Sequence, residues 1–72
     1  MNENQKKVLI HLIDNYGYES FIDDMFHFRD VFLYEKPETE VGKAYRSLSI
    51  KEEFEVIKVY ISYLEVMYHV VD

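Results

Sequence analysis

The chain has 72 residues, the size of one small domain, and carries a net charge of −6. The negative charge argues against direct contact with nucleic acid and with anionic membranes, because both attract Lys and Arg. The chain has no cysteine, which excludes disulfides and thiolate metal sites, and its 49% hydrophobic residues are untypical of a disordered chain. We therefore expect a single globular domain over residues 1–72.

The amino-terminal residues are polar and resemble no signal peptide, and no apolar run approaches the roughly 20 residues of a membrane span. These features predict a soluble, cytoplasmic protein. Residues with GC-rich codons are rare, since Ala and Pro occur once each and Gly and Arg twice each. This bias predicts an AT-rich gene, as in a low-GC bacterium, its phage or another mobile element.

The first predicted helix begins at Asn2 or Asn4 and ends at residue 15 or 16. Gly17 follows, where a residue in the left-handed conformation is favoured. His11 is expected on the outer surface. The apolar residues repeat at helical spacing and form the inner face: Val8, Leu9, Leu12, Ile13 and Tyr16.

The second predicted helix begins at Glu19 or Ser20 and runs to residue 33 or 34, before Pro37. Its apolar arc is rich in Phe, so we expect it to be the main partner of the last helix. A short helix follows, capped by Thr39 and weakened by Gly42. Its inward residues are expected to be Val41, Ala44, Tyr45 and Leu48.

The last predicted helix spans residues 49–72 and begins with a capping box formed by Ser49 and Glu52. Two apolar stripes follow it, each with alternating spacings of three and four residues. The first, here named the heptad stripe, consists of Ile50, Phe54, Ile57, Ile61, Leu64, Tyr68 and Val71. The second, the tyrosine stripe, consists of Val56, Tyr60, Tyr63, Met67 and Val70.

Two apolar faces on the last helix require two neighbouring helices. We expect the first helix to cover the tyrosine stripe and the second helix to cover the heptad stripe. Val, Ile and Tyr also favour strands, but helical spacing of the polar residues favours a helix. The predicted fold is all-α: a small bundle of three helices plus one short helix, with the long C-terminal helix central.

No catalytic motif is present. Gly17 and Gly42 are too far apart for a phosphate-binding loop, and no Ser lies in a nucleophile elbow. We therefore predict a protein that is not an enzyme and needs no cofactor. Asp23, His27 and Asp30 share one helical face, but residues seven apart are separated by about 10 Å along the axis. We favour a solvated face over a metal site.

Acidic side chains dominate the middle of the chain. Residues 14–35 contain six acidic residues and one basic residue, Arg29. We favour a solubilising role for these acids. The alternative is that they imitate the phosphates of nucleic acid and occupy a DNA-binding groove. A helix-turn-helix over residues 41–50 is disfavoured, because Glu52 and Glu53 would repel phosphates.

The tyrosine stripe has two interpretations, since it can form core or, because Tyr and Met are enriched at interfaces, a binding surface. Both hold in a homodimer whose core crosses a two-fold axis. We predict a small acidic protein that regulates or inhibits a protein partner by binding. The alternatives are a structural homodimer subunit and a DNA-mimic inhibitor of a nucleic-acid-binding protein. The predicted binding residues are the anchors Val56, Tyr60, Tyr63 and Met67 and the acids Asp23, Asp24 and Asp30.

Overall fold

The computed structural model describes residues 1–69, which form four α-helices and one π-helical turn. No strand occurs within this range, so the predicted all-α bundle of three helices plus one short helix is confirmed. None of the four helices is both long enough and apolar enough to cross a membrane. The elements are α1 (Glu3–Asn15), α2 (Phe21–Asp30), the π-helical turn (Val31–Glu35), α3 (Glu40–Arg46) and α4 (Ile50–His69).

Capping boxes begin both α1 and α4. At α1, Asn2 Oδ1 accepts from the Gln5 N–H at 2.9 Å, and Gln5 Oε1 accepts from the Asn2 N–H at 2.8 Å. At α4, Ser49 Oγ accepts from the Glu52 N–H at 3.1 Å, and Glu52 Oε1 accepts from the Ser49 N–H at 2.8 Å. These bonds satisfy N–H groups that have no partner within the helix. The capping box predicted at Ser49 is confirmed.

Helix α1 contacts both α3 and α4 and thereby holds the bundle together. Val8 and Leu12 are its most deeply buried apolar residues. Gln5 is also buried, and its Nε2 donates to the Glu52 carbonyl at 3.2 Å and to Glu55 Oε2 at 3.0 Å. These bonds offset the cost of burying an amide and tie the start of α1 to α4.

Helix α1 is the main neighbour of α4, so the expectation that α2 is its main partner is wrong. Helix α2 reaches α1, α3 and α4 through aromatic side chains. The Phe28 ring contacts four other rings, with centroids 4.9 Å from Phe32, 5.1 Å from Tyr45, 5.9 Å from His11 and 6.1 Å from Tyr16. No Cα of α2 lies within 8 Å of a Cα of α1, α3 or α4. The ring contact between α2 and α4 is a stack of Phe21 on Tyr60, at 6.1 Å.

His11 lies partly under α2, although the sequence predicts it on the surface. Its ring meets the edge of Phe32 at 4.7 Å. This partial burial lowers the pKa of His11, against the opposing charge of Asp14. In the helical pattern of α1, His11 lies at the edge of the apolar face. Its contacts with Phe28 and Phe32 therefore depend on where α2 and the π-helical turn lie, which the pattern does not show.

The close approach of α3 to the preceding turn depends on Gly42. A Cβ at this position would lie 2.5 Å from the Lys36 carbonyl oxygen and 2.7 Å from that of Pro37. Gly42 therefore permits the packing of α3, rather than only weakening the helix. Thr39 Oγ1 caps α3 by accepting from the Gly42 N–H at 3.1 Å.

Gly17 connects the turn after α1 with the end of α4. Its φ of +105° confirms the predicted residue with positive φ. A Cβ there would lie 3.0 Å from Leu64 Cδ2 and 3.4 Å from the Tyr60 hydroxyl oxygen. The Gly17 N–H donates to Asp24 at 3.1 Å, and its carbonyl accepts from the Tyr68 hydroxyl. Only glycine combines this backbone conformation with this close contact.

We expect Gly17→Ala to lower the free energy of unfolding by about 1–3 kcal/mol, the cost of a strained backbone residue. Urea denaturation measures the change. The control is Glu19→Ala in the same loop, whose exposed side chain should matter by less than about 0.5 kcal/mol. Equal stability of the two variants would show that Gly17 carries no conformational constraint.

Candidate functional site

An open groove of about 440 Å³ separates α2 from α4. Val8 and Leu12 of α1 contribute to its lining, and the ends of α2 and α4 contribute the charged residues Arg29 and Glu53. The remaining side chains around it are uncharged and nearly all apolar: Phe21, Ile22, Met25, Phe26, Phe28, Tyr45, Leu48, Val56 and Ile57. We name this feature the apolar groove. Phe28, the buried residue of α2, lines the groove and also contacts rings of α1 and α3.

The heptad stripe continues the apolar surface along α4, beyond the groove. Ile57 lines the groove and is partly buried, as is Leu64. The other described members of the stripe are between 37% and 69% exposed: Ile50, Phe54, Ile61 and Tyr68. The prediction that α2 covers this stripe is therefore wrong. Val71 lies outside the described residues.

The opposite wall of the groove is also exposed. Ile22 and Phe26, one helical turn apart on α2, are 64% and 61% exposed. Residues at this spacing point in nearly the same direction from a helix. The α2 wall of the groove therefore carries large exposed apolar side chains, whereas the apolar residues of its α4 wall are the buried Val56 and the partly buried Ile57.

The tyrosine stripe lies mostly inside the bundle. Val56 and Tyr60 are 1% and 0% exposed and belong to the core, so in this structure neither presents surface to a partner. Met67 is partly buried, and Tyr63 is 37% exposed. Tyr63 and Met67 stay predicted binding residues. Val70, the last member of this stripe, lies outside the described residues.

The Tyr60 hydroxyl is buried without a hydrogen-bond partner among residues 1–69. Burial, with smaller contributions from the Asp24 carboxylate and the neighbouring tyrosines, raises the pKa of Tyr60 to about 12. An unsatisfied buried hydroxyl destabilises the folded state. Apolar spacing predicts that Tyr60 points inward but not that its hydroxyl lacks a partner.

A second concave surface, the acidic pocket, has a volume of about 420 Å³ at the turn between α1 and α2. Its three carboxylates belong to Glu19, Asp23 and Asp24. The Tyr16 hydroxyl and His27 Nδ1 share a hydrogen bond of 2.9 Å at its edge. The other residues that line it are Asn15 and Tyr18.

The structure brings only two of the three predicted acidic binding residues together. Asp23 and Asp24 line the acidic pocket, whereas Asp30 lies apart, with its carboxylate 3.7 Å from Arg29. None of the three lines the apolar groove. No group of three or more His, Asp or Glu side chains within the described range is arranged to hold a metal ion. The acidic pocket and the apolar groove therefore share no residue.

The chain matches no protein-family model, no curated protein and no solved structure. The function of the groove must therefore be inferred from its own shape and chemistry.

We expect Tyr60→Phe to raise the free energy of unfolding by about 1 kcal/mol, because it removes a buried hydroxyl that makes no hydrogen bond. Urea denaturation at neutral pH measures the effect. Tyr63→Phe is the matched control, since Tyr63 is 37% exposed and the loss of its hydroxyl should leave stability unchanged. A loss of stability in Tyr60→Phe would mean that its hydroxyl has a partner in solution.

Alkaline pH should destabilise the protein through the same residue. The folded state holds the Tyr60 proton up to a pKa of about 12, while an unfolded tyrosine loses it near 10. The contribution of this pKa difference to the free energy of unfolding is fully present below pH 10 and is lost as the pH rises through 12. The loss in the free energy of unfolding amounts to about 2–3 kcal/mol.

The pH dependence is measured by urea denaturation between neutral and alkaline pH, with Tyr60→Phe alongside. The variant should show a shallower decline. Some decline should persist, because burial also raises the pKa of Tyr16 and Tyr45. Parallel curves for the two proteins would contradict the assignment to Tyr60.

Proposed function

We propose that the chain is a small interaction protein that regulates or inhibits a protein partner by binding it through the apolar groove and the heptad stripe. The observation that carries this proposal is the extent of apolar surface left open between α2 and α4. Soluble monomers rarely expose apolar patches larger than a few hundred Å², and larger patches mark interaction sites. We propose the cytoplasm as its location, which rests on composition alone.

The dimensions of this surface favour a macromolecular partner over a small molecule. The groove volume of about 440 Å³ falls within the range of small-molecule pockets. However, Ile50, Ile61 and Tyr68 are exposed and do not line the groove. From Ile50 to Tyr68 the heptad stripe runs about 27 Å, at 1.5 Å per residue. A small molecule would leave most of this length in water.

The shape of the surface favours a helical segment of the partner. The groove lies between two helices and has apolar residues on both walls. An amphipathic helix binds such a groove with anchors three, four and seven residues apart. The acidic pocket lies outside the groove. Its carboxylates would therefore attract a basic surface of the partner during association and would not contact the helix in the groove.

The proposal predicts that Ile22→Glu abolishes partner binding. Ile22 is an exposed residue in the groove wall, so a carboxylate there should leave the fold intact and place a charge in the contact. Ile10→Glu is the matched control, because Ile10 is similarly exposed on α1 but does not line the groove. Circular dichroism verifies that both variants are folded.

The measurement is affinity capture from the native host, quantified by mass spectrometry. A protein captured by wild type and by Ile10→Glu should be at least about tenfold depleted with Ile22→Glu, equivalent to 1.4 kcal/mol of binding free energy or more. Equal capture by all three proteins would rule out the groove as the binding surface.

A further inference from the structure

The spacing of the heptad stripe on α4 favours a helix as the occupant of the groove. Ile50, Phe54, Ile57, Ile61, Leu64 and Tyr68 alternate spacings of four and three residues. An apolar repeat of 3.5 residues keeps one seam facing a second helix along its whole length. Within residues 1–69 this seam is only partly covered: Ile57 and Leu64 pack against the core, whereas Ile50, Phe54, Ile61 and Tyr68 are exposed.

We propose that a second copy of this chain fills the groove, with the two α4 helices packed antiparallel along their heptad stripes. The inference rests on the proposed function, because it uses the same surface. Antiparallel pairing with one two-fold axis level with Val59 sets Ile50 opposite Tyr68, Phe54 opposite Leu64 and Ile57 opposite Ile61. Each pair occurs twice, as an isologous interface requires.

The exposure of the stripe favours this antiparallel direction. Ile50 and Phe54, at the start of α4, are 69% and 61% exposed, whereas Ile61 and Tyr68 are 37% and 43% exposed. Antiparallel pairing places the more exposed half of each stripe against the less exposed half of the other. The two helices can then stay at an even distance along the contact.

The charges beside the stripe are self-complementary. Lys51, Lys58 and Glu65 are exposed and lie one heptad apart along one edge of the stripe. Antiparallel pairing brings Lys51 of each copy near Glu65 of the other, which gives two attractive contacts. Lys58 meets its counterpart near the axis, but its long stem allows the ammonium group to reach water.

The same charges select a second copy over a basic partner helix. The groove contains one cation and one anion, Arg29 and Glu53. The carboxylates of the acidic pocket do not line it. A basic helix would therefore meet one carboxylate in the groove, that of Glu53, and the acidic pockets of two paired copies lie outside the proposed contact.

The area is sufficient for a reversible dimer. Six exposed side chains surround the contact: Ile22, Phe26, Ile50, Phe54, Ile61 and Tyr68. At about 100 Å² each, half of the roughly 200 Å² of a large side chain, they present about 600 Å² per copy. Two copies bury about 1,200 Å², the lower limit of a standard interface. A partner that binds the groove must then compete with the second copy.

Sedimentation velocity over a range of protein concentrations tests the dimer. Wild type should shift from monomer to dimer as concentration rises. Phe54→Glu should stay monomeric throughout, because it places a charge in the exposed stripe. Val66→Glu is the matched control, since Val66 is exposed on α4 outside the stripe, and it should dimerise like wild type. A wild type that stays monomeric, or Phe54→Glu that dimerises equally, would overturn the proposal.

Disulfide cross-linking tests the direction, because the natural chain has no cysteine. Ile57→Cys and tagged Ile61→Cys are mixed and oxidised. Antiparallel pairing predicts a mixed disulfide in excess of the two symmetric ones, whereas a parallel pair would give the symmetric products. Failure of either dimer test leaves the proposed function intact if Ile22→Glu still loses the captured partner. Normal capture by Ile22→Glu would remove the proposed function instead.

Discussion

The position of Phe28 determines the shape of this protein. Its ring contacts rings from α1, α3 and the π-helical turn, with centroids 4.9 Å from Phe32 and 5.1 Å from Tyr45. Phe21, Met25 and Phe28 of α2 line the groove, but no Cα of α2 lies within 8 Å of a Cα of α4. Phe21 stacked on Tyr60 maintains the contact between the two helices at one end. The apolar groove is the space that remains.

The helices could be predicted from the sequence because their signals are local, but the second predicted helix, expected to run to residue 33 or 34, ends at Asp30, where the π-helical turn begins. The capping box at Ser49 and the positive φ of Gly17 each depend on residues within one turn of the chain. The pairing of helices could not be predicted in this way. The two stripes of α4 are similarly apolar, so periodicity identifies both faces without showing which neighbour covers each. The long-range bonds of Gln5 leave no periodic signal either.

The candidate site could be predicted only in part, because periodicity does not show which apolar face of α4 is covered by a neighbour. The acidic cluster was visible in composition, and Asp23 with Asp24 indeed shares one pocket. Among the predicted anchors, Val56 and Tyr60 are core residues, while the exposed apolar surface belongs to the heptad stripe. A domain of this size has little core to stabilise it. A helix bound to the heptad stripe would therefore also stabilise the folded domain, because it would bury further apolar surface.

Solvent paramagnetic relaxation of side-chain methyl groups, recorded by NMR on dilute protein, tests the exposure of the heptad stripe most directly. The methyl groups of Ile50 should relax strongly with a soluble paramagnetic probe, because this side chain is 69% exposed. Those of Val56, which is 1% exposed, should be protected. Equal protection of Ile50 and Val56 in the monomer would mean that α2 closes over the stripe. That result would contradict the open groove on which the proposed binding function depends.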